Sequence, residues 1–192
     1  MMEQKIRWGS DFNKAMDEAK RSGKLLLLFF HSEMCSGCQM TIQKTLPEKK
    51  VMSHVEDRFV PQMYEVSEPE VQDLKKRFNI EWTPTFIIAD DNGNEAYRWV
   101  GYLPQDEFRA QLTLGEGKLA FKEENFDKAS KCFQKVIDMF SGTELVPEAM
   151  YYKGVALYKK SQDVSNLNRA HDELKSKFPD SSWTKKASVW KQ

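Results

Sequence analysis

An uninterrupted apolar segment, Leu25 to Phe30, is the feature that most restricts the fold of this chain. A strand with one face in water alternates apolar and polar residues, whereas this segment is apolar at every position and follows closely on Gly23. It is also far too short to cross a bilayer. The segment therefore predicts a strand buried on both faces, as in a sheet that is covered by helices on each side.

The patterns around this strand predict further helices and strands up to residue 113. Strands are predicted at 59–66, 83–90 and 95–101, and helices at 10–23, 38–46, 51–59, 68–80 and 104–112. The step Asn92-Gly93 between two apolar runs is a strong signal for a hairpin. The order of elements predicts an α/β domain over residues 1–113.

Only helical patterns follow, over residues 114–192, and two segments of this region are similar. When Phe140 is aligned with Phe178, which stands 38 residues later, Val136 falls on Leu174. A period of this length is typical of helical-hairpin repeats. The region resembles the tetratricopeptide repeat family, which implies an all-α domain whose paired helices could hold a protein partner.

Two of the three cysteines, Cys35 and Cys38, follow the buried strand and open a predicted helix. A thiol at the start of a helix lies near unpaired backbone N–H groups, which favour its ionised form. A second thiol one turn further on is close enough to attack a mixed disulfide on the first. The spacing and position therefore point to a redox couple.

Two other interpretations of the pair stay open from the residues alone. Zinc or an iron–sulfur cluster needs about four ligands, and the nearby candidates besides the cysteines are His31 and His54. The two thiols could also pack as inert side chains. The third cysteine, Cys132, lies within a helical pattern and is expected to pack inside the repeat region.

The cysteine pair after the first core strand, the segment "WTPTF" before the third strand and Gly101 after the fourth resemble thioredoxin-like proteins. The resemblance covers about residues 5–112. It implies an α/β thioredoxin-like fold in which Cys35 is the attacking nucleophile and Cys38 the buried resolving thiol.

The same resemblance implies a substrate site beside the cysteines. It implies that the bond between Thr83 and Pro84 is cis and that Thr83 presents backbone groups to a substrate peptide. Trp82, the residue before this pair, is expected to line the same groove.

Three features depart from the thioredoxin pattern. Met34 replaces the usual tryptophan before the first cysteine, and Ser36-Gly37 replaces Gly-Pro between the cysteines. Phe29 stands where thioredoxin carries a buried aspartate, which helps to take a proton from the resolving cysteine. Without that carboxylate, Glu33 and Glu65 become candidate proton acceptors by their expected proximity.

Charge and composition restrict the partners and the location. The chain has 29 basic and 29 acidic residues and a formal net charge of zero, so neither nucleic acid nor a membrane surface is an expected partner. No secretory signal is visible in the first residues, which predicts a cytoplasmic location. In a reducing compartment, a lone cysteine pair is more often catalytic or metal-binding than structural.

The function predicted from these observations is that of a thiol–disulfide oxidoreductase. It would reduce protein or small-molecule disulfides through Cys35 and Cys38, without a cofactor or metal, and an external electron donor would return it to the dithiol. The alternative is a protein-binding scaffold in which the helical repeats hold a partner and redox turnover is minor.

Overall fold

The computed structural model describes residues 5–190 and divides them into two compact units. The first unit ends at Arg109 and the second begins at Ala110, whereas the sequence places a domain boundary after residue 113. Both positions lie within one continuous helix, α5 (Gln105–Lys122). The first four and last two residues of the two predicted domains lie outside the described range.

The first unit is a four-stranded mixed sheet with helices. Its sheet has the order β2-β1-β3-β4, in which β1 runs parallel to β2 and antiparallel to β3, and β3 runs antiparallel to β4. Its elements before α5 are α1 (Phe12–Ser22), β1 (Leu25–His31), α2 (Ser36–Met40), α3 (Lys49–Arg58), β2 (Phe59–Glu65), α4 (Gln72–Arg77), β3 (Thr85–Ala89) and β4 (Glu95–Val100). The predicted α/β class and the four strands are confirmed.

Strand β1 lies inside the sheet because it has no polar face. Its five central residues, Leu26 to Phe30, are fully buried. The ring of Phe29 stacks on that of Phe86 of β3, with centroids 4.3 Å apart, and Phe86 in turn stacks on Trp99 of β4 at 5.1 Å. Phe108 meets the Phe86 ring edge-on at 4.9 Å, so one aromatic column connects three strands and α5.

Local signals explain where the flanking elements begin and end. The side chain of Asp11 accepts the N–H of Lys14 at 3.1 Å and so caps α1, and Gly23 ends that helix with a left-handed φ of 69°. In the β3–β4 hairpin, Asp90 accepts backbone N–H groups from Asn92 and Asn94, at 3.0 and 2.8 Å. The predicted hairpin is thereby confirmed.

The segment after the cysteines differs from the single regular helix predicted for residues 38–46. Helix α2 changes at Thr41 into a π-helical turn, Thr41–Thr45, in which the N–H of Leu46 donates to the carbonyl of Thr41 at 3.0 Å. The wider turn places the buried hydroxyl of Thr45 within 2.5 Å of the carbonyl oxygen of Leu103, to which it donates. This contact depends on tertiary structure, so the local sequence pattern does not reveal it.

The second unit is helical throughout its described residues. After α5 it contains α6 (Phe126–Met139), α7 (Val146–Ser161), α8 (Ser165–Lys177) and α9 (Ser182–Ala187), followed by a short 3₁₀ turn. The predicted helical region is therefore confirmed, while its assignment to the tetratricopeptide family stays a prediction. No helix among residues 5–190 is both long enough and apolar enough to cross a membrane.

The aligned residues of the two similar segments occupy equivalent places. Phe140 directly follows α6 and Phe178 directly follows α8. The N–H of Phe140 donates to the carbonyl of Val136, and that of Phe178 donates to Leu174. Pro147 lies in the first turn of α7, a position where its missing N–H removes no helical hydrogen bond.

We expect Phe86→Ala to destabilise the first unit by about 3–5 kcal/mol, because it removes the middle ring of the aromatic column and leaves a cavity. Val100→Ala on the neighbouring strand is the control. Since Val100 is half exposed, this substitution should lower the free energy of unfolding by less than about 1 kcal/mol. Urea unfolding of the wild type and both variants measures the two changes in the free energy of unfolding. Equal changes would show that the aromatic column does not stabilise the core as described.

Candidate redox site

The two cysteines at the end of β1 form a disulfide, with their Cα atoms 5.2 Å apart. Cys35 is the N-cap of α2, and its Sγ accepts the N–H of Cys38 at 3.1 Å. Cys38 is fully buried whereas Cys35 is only partly buried. Of the two sulfur-bearing residues, Cys35 is therefore the one that a molecule in solution can reach.

A second segment, just before β3, lies against the first cysteine. The Thr83–Pro84 peptide bond is cis, in agreement with the resemblance. The Sγ of Cys35 lies 3.3 Å from the carbonyl oxygen of Thr83. A Cβ placed on Gly37 would lie 3.2 Å from Cδ of Pro84, so the glycine between the cysteines permits a close approach of α2 to the proline.

These two segments form an open groove at the surface of the first unit. Cys35, Trp82, Thr83 and Pro84 all line it, whereas Cys38 does not. Met34 and Trp82 are large apolar residues with 95% and 72% of their surface exposed. The groove therefore offers exposed apolar surface next to the accessible sulfur.

Aromatic rings surround Phe29, the residue that the resemblance places at the position of thioredoxin's buried aspartate. Phe29 is fully buried, and its ring lies 5.8 Å from that of Trp8 and 5.3 Å from the imidazole of His31, besides stacking on Phe86. A charged group at this position would lose its hydration among aromatic rings. The interior below the site is therefore apolar, and the ionisable groups lie at its edge.

Two ionisable side chains meet on this edge, His31 and Glu65, at the ends of the neighbouring parallel strands β1 and β2. His31 Nδ1 lies 3.5 Å from Glu65 Oε2. Burial lowers the pKa of His31, although the carboxylates of Glu65, Glu68 and Glu33 oppose this effect. The imidazole is therefore held mainly in its neutral form near neutral pH.

Glu65 is a poor candidate for the proton acceptor that the sequence suggested. Burial alone would raise its pKa, but hydrogen bonds from Ser67 and from the N–H of Glu33 lower it overall, together with the charge that His31 carries once it is protonated. The N–H and the hydroxyl of Ser67 donate to Oε1 at 3.1 and 2.9 Å, and the N–H of Glu33 donates to Oε2 at 2.8 Å. A carboxylate that is stabilised in its charged form in this way is a weak base.

The other candidates from the sequence lie apart from this arrangement. His54 lies on α3 with its ring 6.1 Å from that of Phe59. Cys132 lies on α6 in the second unit and is half-buried. Among the described residues, no group of three or more His, Cys, Asp or Glu side chains is arranged to hold a metal ion.

Sequence reasoning missed the contact between Glu65 and the cysteine turn. Glu65 pairs with His31 in the register of β1 and β2, which places both at the same edge of the sheet. The signal in the sequence was an ionisable residue close to the end of each of two predicted core strands. It could suggest that the two side chains meet, but not that the carboxylate holds the N–H of Glu33.

A sheet of this order, with a Cys-x-x-Cys pair after its inner strand and a cis proline before the neighbouring antiparallel strand, defines a thioredoxin-like fold. The chain belongs to the thioredoxin-like domain family, whose model matches residues 12–115, more than half of its length.

Individual relatives agree with this assignment. The chain is 26% identical to a thioredoxin H-type of Fagopyrum esculentum over 91 residues, which are 47% of this chain and 72% of that protein. It is 31% identical to a thioredoxin from Thermus thermophilus, whose structure covers 57% of this chain and 85% of its own with a TM-score of 0.51.

A candidate disulphide-isomerase from Bacteroides thetaiotaomicron shares the fold, with a TM-score of 0.54 at 22% identity, over 60% of this chain and 96% of its own. The family, the two thioredoxins and the Cys35–Cys38 disulfide together support a general role in thiol–disulfide redox chemistry.

The lowered pKa of His31 predicts a dependence of stability on pH. The unfolded chain takes up a proton at His31 as the pH falls through about 6.5, while the folded protein resists until a lower pH. The free energy of unfolding should therefore decrease as the pH falls from 7 towards 5. We expect this decrease to be smaller in His31→Gln, as measured by urea unfolding at several pH values. An equal decrease in the wild type and the variant would show that His31 does not cause this dependence on pH.

Proposed function

We propose that this chain is a thiol–disulfide oxidoreductase that reduces disulfides through Cys35 and Cys38. The observation that carries this proposal is the difference between the two cysteines. Cys35 is partly exposed in the groove beside Thr83 and Pro84, while Cys38 is fully buried directly behind it in α2. This difference supports an outer attacking thiol and an inner resolving thiol.

The proposed reaction has two exchange steps. The thiolate of Cys35 attacks one sulfur of the substrate disulfide, so that a mixed disulfide forms and the other substrate sulfur leaves as a thiolate, which takes up a proton. Cys38 then loses its thiol proton and attacks Sγ of Cys35, which forms the Cys35–Cys38 disulfide and releases the second substrate sulfur as a thiolate that takes up a proton. The substrate gains two electrons, which an external dithiol reductant returns to the enzyme.

The position of Cys35 supports its ionisation in the reduced protein. Its sulfur accepts the N–H of Cys38 at 3.1 Å, and a hydrogen bond from a backbone N–H stabilises a thiolate more than a thiol. The exposed residues Met34 and Trp82 support a polypeptide substrate, because they offer apolar contact area in the groove that Cys35 also lines. No organic cofactor enters either exchange step.

The alternative function, a scaffold with little redox turnover, gains no support from the thioredoxin relatives or from the family model, which matches residues 12–115. The direction of the reaction depends on the redox potential of the compartment in which the protein works. A reducing compartment favours the dithiol and therefore the reduction of substrates.

We expect Cys35→Ser to abolish the reduction of a protein disulfide, because no accessible thiolate remains to attack it. Cys38→Ser should instead stop after the first step and accumulate a mixed disulfide on Cys35. Turnover with insulin as the substrate and mass spectrometry of the trapped adduct measure the two effects.

Cys132→Ser is the matched control and should retain wild-type turnover, because Cys132 lies on α6 outside the groove. Negligible turnover in the wild type, with both thiols reduced and reactive, would refute the proposed enzyme. An adduct on Cys38 rather than Cys35 would reverse the assigned roles.

We also expect Trp82→Ala to lower kcat/KM for a protein disulfide by about tenfold, because the exposed indole provides much of the apolar contact area in the groove. Reduction of a small disulfide such as oxidised glutathione should change by less than about twofold, since a small molecule gains little from that area. Val100→Ala, which removes a half-exposed apolar residue that does not line the groove, is the control. Equal losses with both substrates would argue against a polypeptide-binding role for Trp82.

A further inference from the structure

The turn that presents Cys35, residues 32–35, has little regular structure of its own. Within it, the N–H of Cys35 donates to the carbonyl of Ser32 at 3.1 Å, and the N–H of Met34 lies 3.3 Å from the hydroxyl of Ser32. These are short-range contacts, and Ser32 moves with the turn. They shape the turn but do not fix its place relative to the sheet.

Two side chains from outside the turn bind the backbone of Glu33. Gln39 of α2 donates to the carbonyl of Glu33 at 2.9 Å, and Glu65 of β2 accepts its N–H at 2.8 Å. Gln39 belongs to the same short helix as Cys38, so its bond connects the turn to α2. The bond to Glu65 connects the backbone of the turn to strand β2 of the sheet.

Glu65 is itself held in place on several sides. It is the last residue of β2, and the N–H of the next residue, Val66, donates to the carbonyl of His31 on β1 at 2.9 Å. Its Oε1 accepts both the N–H and the hydroxyl of Ser67, while its Oε2 faces Nδ1 of His31. These contacts fix the orientation of both carboxylate oxygens. Oε2, which accepts the N–H of Glu33, cannot rotate away from the turn without breaking them.

We propose that Glu65 is a positioning residue of the redox site, which holds the Cys35 turn on the sheet through the N–H of Glu33. The inference rests on the proposed function for its catalytic meaning. By fixing the turn, Glu65 keeps Sγ of Cys35 against the N–H of Cys38 and the carbonyl of Thr83. This placement favours closure of the Cys35–Cys38 disulfide, which is also the step that releases the reduced substrate.

The length of the side chain distinguishes positioning from a simple effect of charge. Glu65→Asp keeps the negative charge but shortens the reach by one methylene, so it should lose the bond to Glu33. Glu65→Ala removes both the charge and the bond. Glu68→Asp is the control, since it shortens by one methylene an exposed carboxylate that lies just after β2. Among the described residues, no side-chain hydrogen bond is found from Glu68 to residues 32–35.

The first measurement is the equilibrium of the Cys35–Cys38 disulfide with reduced and oxidised glutathione, which needs no substrate turnover. In Glu65→Asp and Glu65→Ala, a looser turn lowers the effective concentration of one thiol near the other. We expect the equilibrium to shift towards the dithiol by about tenfold in both variants and by less than about twofold in Glu68→Asp.

The second measurement is amide hydrogen exchange of Glu33 in the oxidised protein by NMR. Exchange should become about tenfold faster in both Glu65 variants, because the N–H loses its charged acceptor. The kcat/KM for a protein disulfide should fall together with these changes. The midpoint of thermal unfolding, measured for each variant, distinguishes this local effect from a general loss of stability.

A wild-type glutathione equilibrium in Glu65→Ala overturns the proposal, even if the protein melts at a lower temperature. A wild-type equilibrium in Glu65→Asp alone overturns it as well, because charge rather than reach would then explain the effect. If Glu65→Ala does not fold, Glu65→Asp provides the test. Absence of turnover in the wild type would count against the proposed function, while the glutathione equilibrium would still decide the role of Glu65.

Discussion

The burial of β1 on both of its faces is the constraint on which the rest of the first unit depends. Because Leu26 to Phe30 have no side that tolerates water, the strand needs a neighbour at each edge and cover on each face. The parallel partner β2 and the antiparallel partner β3 meet the first need. The chain then leaves the interior at His31, and this exit places the cysteine turn at the edge where β2 ends and β3 begins.

Phe29 shows how the same constraint shapes the chemistry. In the aromatic column with Phe86 and Trp99 it contributes apolar burial, and an ionised group in its place would be desolvated without a partner. The titratable groups of the site lie instead at the edge of the sheet, where the side chains of His31 and Glu65 meet. A carboxylate there is held in its charged form by donors, so it is suited to fixing backbone rather than to accepting protons.

Features that depend on neighbouring residues in the sequence could be predicted, and features that depend on distant ones could not. The apolar run of β1, the Asn92-Gly93 hairpin and the Cys35–Cys38 spacing are local, and each is found where it was expected. The π-helical turn after α2 depends on Thr45 reaching Leu103, and the hold on the cysteine turn depends on Glu65 reaching Glu33. Both contacts join residues that only the folded sheet brings together.

The site has a buried part and an exposed part, and this difference gives the proposed mechanism the order of its steps. Pro84 is buried just before β3, and Cys38 is buried in α2. The turn with Cys35 is the exposed part, and its sulfur is the one reached first. A mixed disulfide on Cys35 then has its attacking partner already behind it, provided that the turn stays in place. In the proposed mechanism, a carboxylate that fastens this turn to the sheet would therefore act on the resolving step as much as on the attack.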